Sequence, residues 1–205
     1  KSASEIISDT ADKDKQEKLL KIMTHDVSRI DRLITDYSQM LKDELAISSE
    51  QMEDLDLKPI IDSVVDDFNN IYIEKKNINI KFKTSGSKNY LIKGISNRIE
   101  QIIANLLDNS ISFSKKGSIV IVELNENKSD ISLKVSDQGE GFKEKDIKKV
   151  FDRFYSNRPE NFGEHSGLGL NIVKHLVDIH NGEINASNNI DGGAIIEIIF
   201  PKNTN

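Results

Sequence analysis

The feature that most constrains the fold is the order of three short segments, each placed at or inside an element boundary. The segment Asn105–Asn109 lies within an amphipathic stretch, Gly139 and Gly141 follow an alternating stretch, and Ser166–Leu170 opens a second amphipathic stretch. Glycine lets the backbone turn sharply and approach a ligand closely. This order predicts one pocket built from a helix, a strand end and the N-terminus of a second helix.

The composition excludes several kinds of partner and site. The 205 residues carry a net charge of −6 and show no basic stripe, which argues against nucleic acid as a partner. The chain has no cysteine, so disulfides and thiolate metal sites are excluded. No apolar run approaches the roughly 20 residues that a membrane-spanning helix needs. Because the chain opens at Lys1 within a helix-like pattern, we expect a soluble fragment of a longer protein.

Residues 1–56 differ from the rest of the chain. They contain no glycine or proline, and apolar residues recur at helical spacing with a heptad tendency, at Leu19, Ile22, Met23, Ile30, Leu33, Ile34, Tyr37 and Leu41. This predicts a short helix end over 1–9, a turn, and a long helix over 14–45. Such a helix requires a partner helix and then a second copy, unless it packs on its own domain. We therefore predict a partial helical hairpin (1–45), a linker (46–56) and a second domain (57–205).

Helices and strands alternate in the second domain. Helical spacing occurs over 57–76, 95–113 and 167–180, and a short helix is predicted over 143–150. Strands are predicted at 78–82, 90–92, 118–125, 131–137, 182–187 and 193–200. This order predicts an α+β fold, a two-layer sandwich in which one antiparallel sheet carries helices on one face.

The helix over 95–113 carries Asn105 and Asn109 on one face, four residues apart. A neutral carboxamide oxygen can ligate Mg²⁺, which keeps most of its other positions for phosphate and water. One turn further on, Phe113 could lie against an adenine ring. Two solvated asparagines and a core phenylalanine are the plainer interpretation of the same residues.

The two glycine segments suit the two ends of a nucleotide. A carboxylate at Asp137 could accept the hydrogens of an exocyclic amine, although Asp-x-Gly is also common in ordinary turns. The segment Ser166–Leu170 gathers free backbone N–H groups and the positive end of a helix dipole, which is a phosphate site. Ser166 is also a natural N-cap, so a capped helix with a flexible entry is the alternative. No Gly-Lys-Ser/Thr follows, so this is not a Walker loop.

Together these segments resemble the nucleotide-binding boxes of Bergerat-fold ATPases and, within them, of the sensor histidine kinases of two-component systems. The N box is similar to Asn105-Leu-Leu-Asp-Asn109, the G1 box to Asp137-x-Gly139-x-Gly141, the F box to Phe151-Asp-Arg-Phe154 and the G2 box to Ser166-Gly-Leu-Gly-Leu170. The segment between the last two boxes is expected to close over the phosphates as a lid. A narrower similarity, over 26–33 and 154–163, is to the acid-responsive sensor kinases of alphaproteobacteria.

The resemblance implies a role for each matched residue. Asn109 is implied as the Mg²⁺ ligand, Asn105 and Asn109 as the catalytic pair, Asp137 as the acceptor of the adenine amine and Phe113 as the stacking residue. The other implied nucleotide-binding residues are Gly139, Gly141, Phe154, Ser166, Gly167, Leu168, Gly169 and Leu170.

Two departures from the family pattern matter. Many relatives carry Lys or Arg just before the stacking aromatic, where this chain has Ser112; Lys115 and Lys116 are the nearest substitutes. The family's phosphoacceptor box reads His-Glu/Asp-x-x-x-Pro, whereas the segment that begins at His25 has Ile30 in place of proline. We therefore interpret His25 as structural and expect the phosphoacceptor upstream of this chain.

The resemblance implies that the chain binds ATP with Mg²⁺, dimerises through the helical hairpin and passes the γ-phosphoryl group to a histidine, for relay to a response regulator receiver domain. It also implies the cytoplasmic portion of an inner-membrane protein that does not phosphorylate itself as a fragment. Alternatives are an ATP-hydrolysing machine or serine kinase of the same fold, and a non-catalytic helical dimer with a degenerate nucleotide site. Hydrolysing relatives use a glutamate where Asn105 stands, and the intact boxes argue against degeneracy.

Overall fold

The computed structural model describes residues 13–47, 50–85, 89–143, 147–153, 155 and 167–203, and in the first range the side chains of 14–24, 26, 27, 30, 31, 34, 35, 37 and 38. The chain divides into two compact units, residues 1–48 with 164–166 and residues 49–163 with 167–205. The helix end predicted over 1–9 lies outside the described residues.

The first unit contains one long helix, α1 (Lys13–Ile47), which confirms the helix predicted over 14–45. At 1.5 Å per residue its 35 residues extend over about 52 Å. Four of its apolar side chains, Val27, Ile30, Ile34 and Tyr37, follow each other at intervals of three and four residues, and Leu20 lies seven residues before the first of them. These five side chains are between 39% and 62% exposed. The single chain thus leaves an apolar stripe of this helix exposed to solvent.

The second unit contains the other helices and the strands. The helices are α2 (Leu57–Lys76), α3 (Ser96–Phe113), the 3₁₀ helix η1 (Ile147–Phe151) and α4 (Gly169–Ile179). The strands are β1 (Glu53–Asp56), β2 (Asn79–Ser85), β3 (Leu91–Gly94), β4 (Ile119–Glu126), β5 (Asp130–Ser136), β6 (Glu183–Asn188) and β7 (Ala194–Pro201). The predicted α+β class is confirmed. Within the described ranges, no helix combines the length and the apolar character needed to cross a membrane.

Five strands form one sheet in the order β2-β4-β5-β7-β6. Every neighbouring pair is antiparallel except β2 and β4, which are parallel because the chain between them crosses over through β3 and α3. β1 pairs with β3 in a separate two-stranded sheet. The prediction of a single antiparallel sheet was therefore wrong in these two respects, and the predicted linker over 46–56 contains the strand β1.

The core lies between one face of the five-stranded sheet and helices α2, α3 and α4. Alternate residues of the three central strands are buried, namely Val120, Val122, Leu124, Ile131, Leu133, Val135, Ile196, Ile198 and Phe200. The helices contribute Ile61, Val65, Ile99, Ile102, Ile103, Leu106, Leu107, Val173, Leu176 and Val177. Because burying one such side chain contributes about 1.5–3 kcal/mol, this layer holds α3 and α4 against the sheet.

Polar side chains define the ends of α2 and cover one edge of the sheet. Asp56 caps the N-terminus of α2, and Asn77 ends it in the left-handed region at φ 53°. From the middle of α2, the Asn69 amide donates to the Ile80 carbonyl at 3.0 Å and accepts from the Ile80 N–H at 2.8 Å. Since β2 is an outer strand of the sheet, Asn69 binds backbone groups of Ile80 on the side of β2 that faces away from β4.

Candidate functional site

The helix α3 carries Asn105 and Asn109, the asparagines predicted to lie near a metal ion. Two side-chain contacts hold its N-terminus in place. The buried Arg98 guanidinium donates two hydrogen bonds to the Glu50 carboxylate, at 3.0 and 3.1 Å. At the end of α4, the buried His180 accepts the Ile95 N–H on Nε2 at 3.1 Å. Nδ1 therefore carries the proton and donates to the Leu176 carbonyl at 2.7 Å. Burial lowers the pKa of His180, which favours this neutral form.

Further along α3, Asn105, Asn109 and Phe113 follow each other at intervals of four residues and are all partly exposed. The opposite side of the helix is fully buried in the core. Ser112, which replaces the basic residue of the family pattern, donates its hydroxyl to the Asn109 carbonyl at 2.7 Å. The helix therefore presents a neutral polar face whose amide oxygens are suited to a hard cation such as Mg²⁺.

Asp137 follows β5 and is only 7% exposed. Its Oδ1 accepts two backbone hydrogen bonds, from Gly139 N–H at 2.8 Å and from Ala194 N–H at 3.0 Å. Burial raises the pKa of the Asp137 carboxyl, although these two hydrogen bonds act in the opposite direction. The two backbone bonds use one carboxylate oxygen, so Oδ2 is the oxygen suited to accept the hydrogens of an exocyclic amine.

Residues 137–142, here called the first glycine turn, lie against the C-terminus of α3. A Cβ on Gly139 would lie 2.8 Å from the Phe113 carbonyl oxygen and 3.0 Å from Asp137 Oδ1, so no side chain fits there. Gly141 has φ +73°, a conformation that favours glycine. Through Gly139, the turn brings Asp137 close to Phe113.

Residues 167–170, here called the second glycine turn, lead into α4. Gly167 has φ +73° and α4 begins at Gly169, so the helix starts two residues later than predicted. A Cβ on Gly169 would lie 3.8 Å from Asn105 Oδ1, which places this helix N-terminus beside the polar face of α3. The positive dipole end of α4 at this point suits phosphate oxygens.

The remaining predicted residues are placed less directly. Phe154 and Ser166 lie outside the described residues. The Leu168 side chain is fully buried, so only its backbone can face a phosphate, whereas Leu170 is partly exposed. The hydrogen bond and the charge of Lys143 lower the pKa of the Glu140 carboxyl in the first glycine turn, and the charge of Lys115 adds a smaller effect in the same direction.

The structure describes the side chains of two of the four histidines, His175 and His180. His25 lies within α1, although its side chain is not among those described, and His165 is outside the described ranges. His175 is partly exposed on α4, and His180 is buried at its end. No cluster of three or more His, Cys, Asp or Glu side chains suited to a metal occurs in the described part of the chain.

The sequence analysis missed three residues that the structure brings to the site. Asn171 donates its amide to the Phe151 carbonyl at 2.8 Å and so connects α4 to η1. Ala194 binds Asp137 as described above. Asn188 contacts the end of the first glycine turn, although the sequence places it between the strands predicted over 182–187 and 193–200. The one available sequence signal was the pair Gly192-Gly193, which marks a loop with left-handed backbone.

The chain matches known proteins along most of its length. Residues 94–204 match the family model described as "Histidine kinase-, DNA gyrase B-, and HSP90-like ATPase". The sensor protein ChvG of Agrobacterium fabrum is 32% identical over 203 residues, which cover 96% of this chain and 34% of that protein. The chain spans about one third of the length of the curated relatives of this kind that it matches.

The structure is similar to solved structures of histidine kinases, among them those of MprB and ThkA. The mycobacterial sensor histidine kinase MprB gives a TM-score of 0.61 at 26% identity, over 74% of this chain and 97% of that one. The catalytic domain of the histidine kinase ThkA gives a TM-score of 0.66 at 23% identity, over 75% of this chain and 97% of that one, and supports the fold.

Proposed function

The chain belongs to the family of histidine kinase-, DNA gyrase B- and HSP90-like ATPases, and we propose from this premise that it is the ATP-binding part of a sensor histidine kinase. The resemblance inferred from the nucleotide-binding boxes is thereby confirmed for the family. One observation carries the proposal, namely that both glycine turns contact the same helix. Gly139 lies at Phe113 and Gly169 lies at Asn105. These positions on α3 are eight residues, or about 12 Å, apart, which suits the two ends of an extended nucleotide.

In this proposal the adenine lies at the first glycine turn. Its exocyclic amine donates to Asp137 Oδ2, and Phe113 lies against the ring. The buried carboxylate is a hydrogen-bond acceptor already positioned by two backbone N–H groups, so binding does not have to order it. The triphosphate extends along α3 toward the second glycine turn and the N-terminus of α4.

The side-chain amide oxygens of α3 beside the N-terminus of α4 fit Mg²⁺ as ligands. Asn109 is the proposed ligand and Asn105 lies beside it; both supply neutral amide oxygens and leave coordination positions for phosphate and water. When bound, the ion supplies positive charge that neutralises the β- and γ-phosphates. The pocket itself positions the nucleotide, since phosphoryl transfer asks little covalent chemistry of the protein.

The rest of the proposal concerns the acceptor and the partners. The γ-phosphoryl group passes to a histidine outside residues 1–205, because the segment at His25 lacks the proline of the family box. The exposed heptad stripe of α1 supports a homodimer formed through a helical hairpin. The final recipient is the receiver domain of a response regulator, and the chain is the cytoplasmic portion of an inner-membrane protein.

The proposal is tested by isothermal titration calorimetry with ATP in the presence of Mg²⁺ or EDTA. We expect saturable binding that requires Mg²⁺ for its full strength, and about tenfold or more weaker binding by the variant Asn109→Ala. At 100 times the Kd, ATP should raise the free energy of unfolding by about 2.7 kcal/mol. A chain that dimerises but neither binds ATP nor gains stability from it would instead be a helical dimer with a degenerate site.

Two further measurements separate kinase from hydrolase. We expect no steady release of inorganic phosphate from Mg-ATP, because Asn105 cannot act as the base that activates water. We also expect no acid-labile label from γ-labelled ATP on the 205-residue chain. A label that disappears in His25→Gln would show that His25 is the phosphoacceptor after all.

A further inference from the structure

The β6–β7 hairpin ends in a residue pair that contacts both ends of the first glycine turn. Asn188 is the last residue of β6, Ala194 is the first of β7, and the two stand opposite each other in the register of the hairpin. Between them the loop turns through Gly192 and Gly193, both with positive φ. The loop end of this hairpin therefore faces residues 137–142.

Ala194 holds the entry of the turn. Its N–H donates to Asp137 Oδ1 at 3.0 Å, and its carbonyl accepts the Asp137 N–H at 3.0 Å. The preceding residue, Gly193, is so close that a Cβ there would overlap the Asp137 carbonyl oxygen. Main-chain contacts with Gly193 and Ala194 thus hold Asp137 at the entry of the turn.

Asn188 holds the exit of the turn, and does so with its side chain. Its Oδ1 accepts the Phe142 N–H at 2.7 Å, and its Nδ2 donates to the Phe142 carbonyl at 2.9 Å. The same amide lies against Gly141, where a Cβ would come 2.7 Å from Asn188 Oδ1 and 3.2 Å from the Gly193 carbonyl oxygen. One amide therefore pairs with both polar groups of Phe142 and also lies where a Cβ at position 141 would meet it.

We propose that Asn188 is a positioning residue for nucleotide binding, which fixes the first glycine turn from its exit as Ala194 fixes it from its entry. This inference rests on the proposed function, because it assigns the turn to the adenine end of ATP. Asn188 does not contact the nucleotide. It acts through Gly141 and Phe142, and so limits the positions that Gly139 and the Asp137 carboxylate can take when the base binds.

The physical basis is the cost of ordering a glycine-containing turn. Each backbone residue fixed on binding costs about 1–2 kcal/mol, and glycine has the most freedom to lose. A turn held at only one end must be ordered by the ligand, whereas a turn held at both ends is ordered beforehand. Loss of the Asn188 amide should therefore weaken nucleotide binding while affecting the fold little, because the side chain is exposed at the edge of the sheet.

The test compares Asn188→Ala with Asn185→Ala in the whole 205-residue chain. Asn185 is an exposed residue of the same type on the same strand, three positions earlier, so its variant is the matched control. The Kd values for Mg-ATP and for inosine triphosphate, which carries an oxygen in place of the amine, are measured well below the unfolding temperature. We expect Asn188→Ala to raise the Kd for ATP about five- to thirty-fold and to narrow the preference for ATP over inosine triphosphate.

The outcomes are separable. If Asn188→Ala weakens ATP binding and narrows the base preference while Asn185→Ala does neither, the proposal is supported. If Asn188→Ala binds both nucleotides as the parent does, Asn188 has no positioning role and the proposed function stands. A parent chain that binds no ATP would overturn both. If Asn188→Ala loses affinity for ATP and for inosine triphosphate by the same factor, the ratio of the two Kd values is unchanged. Asn188 then acts on general stability, and this result would also overturn the proposal.

A double-mutant cycle gives a second measurement that does not depend on nucleotide. Gly141→Ala places a Cβ against the Asn188 amide, so it should lower the free energy of unfolding more in the parent than in Asn188→Ala. Equal effects in the two backgrounds would show that the close approach of Asn188 to Gly141 does not constrain the turn.

Discussion

Replacing Asp137 by asparagine should alter nucleotide binding without harming the fold. The amide oxygen of the new side chain can still accept the two backbone hydrogen bonds that Oδ1 accepts now, from Gly139 and Ala194. What changes is the second position, where an NH₂ donor replaces Oδ2. The variant also removes a charge that burial disfavours, since burial raises the Asp137 pKa. We therefore expect its unfolding temperature to be unchanged or slightly higher.

The loss in binding can be estimated from the hydrogen bond that disappears. A hydrogen bond to a charged group contributes about 1.5–3 kcal/mol, and in Asp137→Asn two donors would face each other. At 1.4 kcal/mol per factor of ten, the Kd for Mg-ATP should rise by about ten- to 150-fold. The base preference should shift as well, because an NH₂ group can donate to the carbonyl oxygen that inosine triphosphate carries in place of the adenine amine. The preference of the variant for ATP over inosine triphosphate should therefore be smaller than that of the parent.

The assay is isothermal titration calorimetry with both nucleotides, repeated at several pH values. Binding to the parent requires the ionised carboxylate, so its affinity for ATP should fall as the pH drops toward the raised pKa of Asp137; in Asp137→Asn this dependence should be absent. Asp191→Asn, which removes an exposed charge from the nearby hairpin loop, controls for net charge. Binding of ATP by folded Asp137→Asn within twofold of the parent would refute the assignment of Asp137 as the amine acceptor.

Two further predictions concern the supports of the site. Gly192 and Gly193 have nearly equal positive φ, but a Cβ on Gly192 meets nothing within 4 Å, whereas one on Gly193 overlaps the Asp137 carbonyl. In urea unfolding, the free energy of unfolding should therefore fall by about 1–2 kcal/mol for Gly192→Ala and by clearly more for Gly193→Ala. Gly193→Ala should also bind ATP more weakly. Equal losses of unfolding free energy in the two variants would contradict the contact between Gly193 and Asp137. Because the pKa of His180 is lowered in the folded state, its contribution to stability is present above the unfolded pKa of about 6.5 and is lost as the pH falls below it. When the pH is lowered from 8 to 5, the unfolding temperature of His180→Gln should thus fall less steeply than that of the parent or of the control His175→Gln. If the unfolding temperatures of all three proteins fell in parallel with pH, His180 would not be the source of this pH dependence.

The elements that the sequence predicted well are those whose ends are set by neighbouring residues. The bounds of α2 match the prediction because Asp56 caps one end and Asn77 ends the other in the left-handed region. The strand β1 was missed because its four residues contain one buried side chain, Leu55, and because its partner β3 lies more than 30 residues away. Local patterns also do not report that β2 and β4 run parallel.

The same distinction applies to the site. The asparagines of α3, Asp137 and the two glycine turns could be inferred because each shows a local pattern with a chemical reason. Asn188 and Ala194 could not, because their contacts depend on the register of β6 with β7 and of β7 with β5. A single asparagine at a strand end has no local signature for a bond to a backbone 46 residues away.

The pairing of Asn69 with Ile80 has a consequence for self-association. Outer strands with open backbone groups are templates for pairing with a further strand, which leads to aggregation. On β2 the Asn69 amide occupies the N–H and carbonyl of Ile80 that an incoming strand would need, with the geometry that such a strand would offer. A variant such as Asn69→Leu would keep a side chain of similar size and free this edge. The main effect of Asn69→Leu would then be precipitation during refolding that increases with protein concentration, before the nucleotide site has formed.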